Sequence, residues 1–447
     1  MYNKKFLLFL ADYILDNLPI ITFFLLTLLF IINSFFNSGL LVDGTYTFVN
    51  LLQDITWDNE NRHFETFFSN FATIAALVLG LKNINILIII HGFWIYFSTL
   101  LLLFISYKLF PLKQKDLFLF VLISYLLTMN TTSAFVTTQS FISAGLYWII
   151  IIPMIFDDFN TISNGKIIIM IIASFFMIKG YQLDLVFIML FVFISFMLLK
   201  NIKTNKKYLF CFFILINVWS LIYNFVCRIN KNFVFQKVYT FYEISYSPYF
   251  GYLLVLLSLI FIIITFIIRN RNFNATKILI LIVFIYLITI NFIYSLASFR
   301  TLNHLIPLIL SFLLYIINKK NLNVNLKCLK IFSLVLLLSF IWNITCINYQ
   351  WNKELNRIYS KLIKSEGIIK FDNYNKKLHE HYFLHHSFSI LLQKQKGISI
   401  IKSVLEPHIQ FYSTINETPR IVFPDLEKYG IYYSDKLKKS SMKLKLK

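Results

Sequence analysis

The sequence predicts an all-α membrane protein with about eleven transmembrane helices, and three observations carry that prediction. Apolar residues make up 58% of the 447 residues and charged residues only 14%, whereas soluble domains carry about a quarter charged residues. Phenylalanine alone occurs 50 times. The apolar residues gather into runs, several of which reach the roughly 20 residues that cross a bilayer. A soluble core could not hide so much apolar surface, so lipid is the expected solvent.

Eleven runs within residues 1–347 are expected to form the transmembrane domain. Two of them, 116–129 and 166–179, are shorter than a full span, so we expect them to be tilted, bent or partly buried. No small-x-small cleavage site follows the first run, which predicts an anchored helix. The approximate bounds of the runs are 18–36, 84–107, 116–129, 138–156, 166–179, 183–199, 208–227, 249–268, 278–297, 304–317 and 328–347.

The basic residues between the runs predict the orientation. Placing the N-terminus in the cytoplasm puts most Lys and Arg residues on the inner side, as the positive-inside rule requires. This alternation holds only if the stretch from Phe64 to Leu81 lies along the outer surface instead of crossing the membrane. Residues 37–83 then form a long first outer loop. Because the charge follows this pattern, the net charge of +21 does not indicate nucleic-acid binding.

The C-terminal part has a different character. Residues 348–435 are polar and basic, with an apolar, β-branched run at 397–405 and a turn, strand and turn expected at 417–424. They predict a small α/β domain outside the membrane, on the side opposite the cytoplasm. Residues 436–447 are expected to form a disordered basic tail.

No motif indicates a metal or another cofactor. The four cysteines lack the spacing of a disulfide framework or a zinc site. His379, Glu380, His381, His385 and His386 lie close together, but a solvated helix face explains them better than a metal site does. A divalent cation is compatible with the chain, although no cluster supports one.

The first outer loop contains the candidate catalytic residue. Asp43 comes just after a spanning run, and Gly44 permits a tight turn beside it. A carboxylate at the mouth of a helix bundle can take a proton from an acceptor group where bulk water is excluded. It can equally be a capping or solvated loop residue. Asp54, Asp58 and Glu60 follow in the same loop and are alternative acids.

Several polar residues on the predicted outer side are candidates for substrate binding. Arg62 and Arg300 are not needed there for topology, and a guanidinium fork suits a phosphate. Simple solvation at the membrane edge is the alternative. Lys179, Tyr181 and Asp184 interrupt an otherwise continuous apolar stretch. They either line a cavity in the bundle or form an ordinary short hairpin.

Three segments carry a resemblance to a known class of proteins. They are Asn61-Arg62-His63-Phe64-Glu65 with the stretch that follows to Gly80, the turn from Lys179 to Asp184, and Ser298-Phe-Arg300 before His304. Together with the long first outer loop, this layout resembles the GT-C class of membrane glycosyltransferases, and also uncharacterised bacterial membrane proteins of that type. The paired acidic residue of the class is absent, since Gly44 follows Asp43.

The resemblance implies a GT-C-like fold in a bacterial plasma membrane and a polyprenyl-phosphate sugar as donor. The acceptor would be an extracytoplasmic glycan or lipid. Asp43 would be the base, with Asp54, Asp58 and Glu60 as rivals, and Arg300 and Lys179 would hold the donor phosphate. A transporter or flippase of a lipid-linked intermediate is the alternative from another class, although transporters often show internal repeats, which are absent here. A glycan polymerase is a second enzymatic alternative.

Overall fold

The computed structural model describes residues 13–35, 48–49, 51–53, 63–132, 139–178, 184–203, 206–229, 296–320, 324–369, 385–405 and 426–437. The described helices are α1 (Leu18–Phe35), α2 (His63–Val78), α3 (Ile84–Leu109), α4 (Phe118–Thr132), α5 (Gln139–Phe156), α6 (Asn164–Met177), α7 (Asp184–Leu199), α8 (Lys206–Ile229), α9 (Leu296–Lys320), α10 (Leu326–Ile363) and α11 (His385–Gln395). The strands are β1 (Gly367–Ile369), β2 (Ile400–Ile401), β3 (Ser403–Leu405) and β4 (Tyr432–Tyr433).

The helices follow the apolar runs closely, and α1 to α10 form a bundle around one large apolar core. Among the described residues, four stretches are long and apolar enough to cross a membrane: Leu18–Phe35, Ile84–Leu109, Lys206–Tyr223 and Leu326–Cys346. Other apolar helices have only 10–17 residues. The structure therefore agrees with a helical membrane protein but not with eleven full spans. The predicted run 249–268 and most of the run 278–297 lie outside the described residues.

The connectors after α3, α5, α7 and α9 meet at one end of the bundle. Lys166 Nζ donates to the Leu109 carbonyl at 3.0 Å and to Asp157, and Asn160 Nδ2 donates to the Asn201 carbonyl at 3.2 Å. Gln114 joins the same end through Asn318. We call this the basic end because lysines outnumber acidic residues there. Its described lysines are Lys108, Lys113, Lys115, Lys166, Lys200, Lys203, Lys206, Lys207, Lys319, Lys327 and Lys330.

Helix α10 runs from the basic end to the opposite end, which we call the far end. Lys330 pairs with Asp16 at 2.8 Å just before α1, and Asn348 donates to Asn33 near the end of α1, so α1 and α10 are parallel. Because α10 has 38 residues, it extends about 57 Å. It passes through the predicted domain boundary at 347 and carries the chain beyond the bundle.

The far-end domain consists of the last part of α10, the four strands, α11 and residues 426–437. Strand β1 pairs in parallel with β3, and β2 pairs in parallel with β4. The predicted disordered tail begins at Lys436, whereas Lys436 and Leu437 are helical. Lys436 donates to Glu366 at 2.8 Å and holds the pKa of that carboxyl below its ordinary value. Residues 417–424 and 438–447 lie outside the described part.

The structure corrects the prediction for the stretch 64–81. Helix α2 does not lie across the surface but runs antiparallel along α3. Trp94 Nε1 donates to the Phe68 carbonyl at 2.7 Å, and Thr73 shares a hydrogen bond of 3.2 Å with His91. The polar residues of α2 that suggested an interfacial helix, Ser69, Asn70 and Thr73, are buried. They find partners inside the bundle, which removes the reason for α2 to stay in the headgroup layer.

The packing of α5 on α3 can be tested at Gly145. A Cβ at this position would lie 2.8 Å from Leu102 Cβ and Cδ1, so Gly145→Ala has to push two helices apart. We expect a loss of about 1–3 kcal/mol, because a packed interface does not accept an extra methyl group without strain. Thermal unfolding in detergent would measure it. Gly165→Ala is the control, since its Cβ would meet nothing within 4 Å. Equal melting temperatures for the two variants would contradict the packing.

The relation between the two ends predicts a labelling pattern. Asn201 at the basic end and Lys396 in the far-end domain are both exposed. In a variant without the four native cysteines, Asn201→Cys and Lys396→Cys should react with a membrane-impermeant maleimide from opposite sides of the membrane. Reaction of both from the same side would refute the arrangement of the helices.

Candidate functional site

Helix α6 stops short of the far end. It begins at the basic end after the cap Ser163 and ends at Met177, where a turn follows. Its 14 residues extend about 21 Å, whereas the 26 residues of α3 extend about 39 Å. Helix α7 begins at Asp184 and returns to the basic end. The ends of α6 and α7 that flank residues 179–183 are therefore recessed from the far end of α3.

The beginning of α2 lies deeper in the bundle than the end of α6. Phe68 lies beside Trp94, which is about 15 Å along α3 from its start. Because α2 is antiparallel to α3, its first residue, His63, lies still farther toward the basic end. The ring of Phe68 lies 5.7 Å from the ring of Phe176 near the end of α6. The start of α2 therefore lies beside α6, about 9 Å deeper along the bundle than the end of α6. We call the region between the start of α2, the end of α6 and the start of α7 the recess.

Four of the predicted site residues adjoin the recess in the chain. Arg62 directly precedes α2, and Lys179 and Tyr181 lie between α6 and α7, but all three are outside the described residues. Asp184 is the first residue of α7, of which the backbone is described. The contact between α2 and α6 therefore places the ends that precede Lys179 and follow Arg62 on neighbouring helices, about 9 Å apart along the bundle axis. The positions of their side chains lie outside what the structure describes.

Arg300 belongs to the same half of the bundle. It lies in the first turns of α9, which runs toward the basic end, where Asn318 donates to the Ile155 carbonyl at 2.8 Å. Arg300 is about 27 Å from that level along the helix axis. Closer to the basic end of α9, Ser311 shares a hydrogen bond of 2.5 Å with Tyr147 of α5. The side chain of Arg300 is outside the described residues, whereas its backbone is helical.

The candidate acids surround one described piece of the first outer loop. Asp43, Asp54, Asp58 and Glu60 lie outside the described residues. Residues 48–49 and 51–53, which we call the loop segment, are helical. Phe48, Leu51 and Leu52 of the loop segment have no exposed surface. The ring of Phe48 lies 5.0 Å from the ring of His91, so the segment sits at the far end, where α2 and α3 meet.

A buried polar cluster lies between the loop segment and the recess, and the sequence analysis missed its central member. His91 of α3 has no exposed surface and bonds to Thr73 of α2. One turn before Thr73, Asn70 donates to Ser69 at 3.3 Å. A histidine inside the apolar run 84–107 is the signal that could have indicated a polar contact between helices.

A cavity between α3, α4 and α5 is separate from the recess. Its lining includes Thr99, Ser124, Tyr125 and Trp148, and Thr99 and Tyr125 share a hydrogen bond of 2.9 Å. Its volume of about 10 Å³ is enough for about one water molecule. It is too small for a sugar or a lipid headgroup.

The described residues contain no group of three or more His, Cys, Asp and Glu that could hold a metal ion. Of the histidine cluster, residues 379–381 lie outside the described part, and only the backbone of His385 and His386 is described. Cys211, Cys328 and Cys346 are free. Comparison with models of protein families, with curated proteins and with solved structures finds no match.

The recess predicts unusual water access to the turn after α6. Without native cysteines, Lys179→Cys should react with a charged, membrane-impermeant thiosulfonate applied from the side of the far-end domain. The reason is that a lysine at this depth needs water or a partner. Asn164→Cys, at the other end of α6, should react only from the opposite side. A Lys179→Cys variant that reacts from the basic side would show that α6 does not end in an outward recess.

Proposed function

We propose that the protein is a GT-C-type membrane glycosyltransferase that moves a sugar from a polyprenyl-phosphate donor to an extracytoplasmic glycan or lipid. The observation that supports this most is the contact of Phe68 with Phe176. It places α2, which begins just after Arg62, beside α6, which ends just before Lys179, and the first loop begins and ends at the same side of the bundle.

The orientation that fits this function has the basic end in the cytoplasm. Lysines concentrate at cytoplasmic loops in membrane proteins. Eleven described lysines lie at the basic end, whereas Lys82 lies between α2 and α3 at the far end. The N-terminus would then be cytoplasmic, and the recess, the first loop and the far-end domain would face the outside of a bacterial plasma membrane.

The charged residues before α2 support an aqueous recess. Gln53 ends the loop segment at the far end, and His63 begins α2 at the depth of the recess. The intervening sequence contains Asp54, Asp58, Glu60 and Arg62. Charged side chains at membrane depth are costly unless they pair or face water. We therefore expect this stretch to line a water-filled cavity that opens outward.

Such a cavity can separate the two tasks of a transfer reaction. A carboxylate, for which Asp43 is our first choice, would take the proton from the acceptor hydroxyl as it attacks the anomeric carbon of the donor sugar. Arg300 and Lys179 would hold the donor phosphate, which leaves with the lipid as an anion. The apolar helices around the recess would accommodate the polyprenyl chain. No step of this scheme requires a metal ion, although a divalent cation could share the phosphate.

The test is complementation of a strain that lacks the gene. Mass spectrometry of the surface glycans and lipids should show a product that lacks one sugar, and the wild-type gene should restore it. Asp43→Asn should not restore it, because loss of a positioned base costs about two to four orders of magnitude in rate. Lys200→Gln at the basic end is the control and should restore it fully.

The variants also separate the alternatives. Full activity of Asp43→Asn with loss in Asp54→Asn, Asp58→Asn or Glu60→Gln would assign the base to another acid and leave the class intact. Arg300→Ala should raise the KM for the donor more than it lowers kcat, since a phosphate contact exists already in the ground state. A deletion strain in which the complete lipid-linked intermediate accumulates in the inner leaflet would instead indicate a flippase.

A further inference from the structure

The loop segment, the far ends of α2 and α3, and the far-end domain share one hydrophobic core. It is distinct from the core of the bundle. Phe48, Leu51 and Leu52 bring no exposed surface to it. The other buried members are Val49, Leu77, Ile84, Leu87, Ile88, Leu355, Ile358, Leu362, Ile390, Leu391, Leu392, Ile401, Val404, Leu426, Ile431 and Leu437. Regions that are far apart in the sequence therefore fold around the loop segment.

A polar contact fixes the C-terminal end of that segment. Lys428 Nζ donates to the carbonyl oxygen of Gln53 at 3.0 Å. Gln53 is the last described residue before Asp54, so this contact lies where the chain leaves the core for the acidic stretch. A single hydrogen bond from an exposed lysine stabilises the loop segment only if the lysine itself is held in place.

The turn that carries Lys428 meets this condition. Residues 427–429 form a short 3-10 helix directly after Leu426, which is fully buried. Gly430 ends it with a positive φ of 67°, and Lys394 of α11 donates to the Gly430 carbonyl at 2.9 Å. Lys428 thus extends from a turn that is tied to the core on one side and to α11 on the other.

We propose that the far-end domain is a positioning domain for the first outer loop, and that Lys428 is the positioning residue that anchors the loop at the Gln53 carbonyl. The domain would hold the loop segment on the α2–α3 hairpin. It would thereby fix the point at which the stretch with Asp43 ends and the point at which the stretch with Asp54, Asp58 and Glu60 begins. The consequence for catalysis rests on the proposed function, whereas the anchoring itself does not.

Hydrogen exchange of the full-length protein in nanodiscs tests the anchoring without any activity assay. In Lys428→Met, which keeps the side-chain length but removes the donor, peptides covering residues 48–53 should exchange about tenfold faster than in the wild type. Lys428→Arg should keep the slow exchange, because a donor remains. Unchanged exchange of residues 48–53 in Lys428→Met would overturn the proposal.

Matched peptides and a matched lysine separate anchoring from general loss of stability. Peptides from 386–405 should be unchanged in Lys428→Met if the far-end domain is intact. Lys396→Met is the second control, because Lys396 lies over the Tyr359 ring at 5.8 Å in the same domain. If residues 48–53 exchanged equally faster in Lys396→Met, any weakening of the domain would have this effect. That result would overturn the role of Lys428. Should Lys428→Met not fold, Lys428→Gln takes its place with the same expectations.

Kinetics then connects the anchor to the proposed function. Lys428→Met should lower kcat for glycosyl transfer about tenfold at an unchanged KM for the donor, and Lys428→Arg should restore kcat. If exchange responds as expected and no transfer activity exists in the wild type, the positioning domain stands and the glycosyltransferase proposal fails. If transfer is normal in Lys428→Met despite faster exchange, the anchor has no catalytic role and that part of the proposal is refuted.

Discussion

The hydrogen bond from the Trp94 indole to the Phe68 carbonyl, together with the pair of Thr73 and His91, fixes α2 along α3, and the architecture of the far half depends on it. Polar groups within a bilayer must find partners in the protein, since lipid offers none. By satisfying them against α3, the chain can keep a 16-residue helix inside the bundle. That helix starts at depth and returns to the far end, so the first loop begins and ends on one side.

This arrangement gives the stretch 64–81 a place that differs from the predicted one. The lysine alternation required that this stretch should not cross the membrane, and it was therefore expected on the surface. Most described lysines of the bundle lie at the basic end, with Lys82 at the far end as an exception. Helix α2 leaves this pattern intact because it begins at depth and ends at the far end, with Thr73 bonded to His91 of α3. Composition reveals that Ser69 and Thr73 are polar, but only packing reveals that their partners lie inside the bundle.

Most helix ends inside the apolar runs were predicted to within a few residues. Helix α9 is an exception, because it begins at Leu296, eight residues before the predicted run 304–317. The length of the apolar run sets both ends of α1. Its polar residues Thr22, Asn33 and Ser34 are buried inside the protein and not exposed to lipid. The end of α10 was not predictable, since 38 residues form one helix although only the first half is apolar. Beyond the bundle, Leu355, Ile358 and Leu362 of α10 pack in one core with residues of α11 and the strands. Such long-range contacts leave no local pattern.

The short helices and the long ones have complementary roles in this protein. Helices α3 and α10 are longer than the bilayer requires, and their excess carries the far-end domain. Helix α6 is shorter than the bilayer requires, and lipid would have to thin beside it unless water fills the gap. Water is the less costly solution where charged residues adjoin the gap, as Arg62 and Lys179 do in the sequence. The difference in helix length can therefore leave room below the membrane surface, which is where the proposed function requires an anionic ligand to bind.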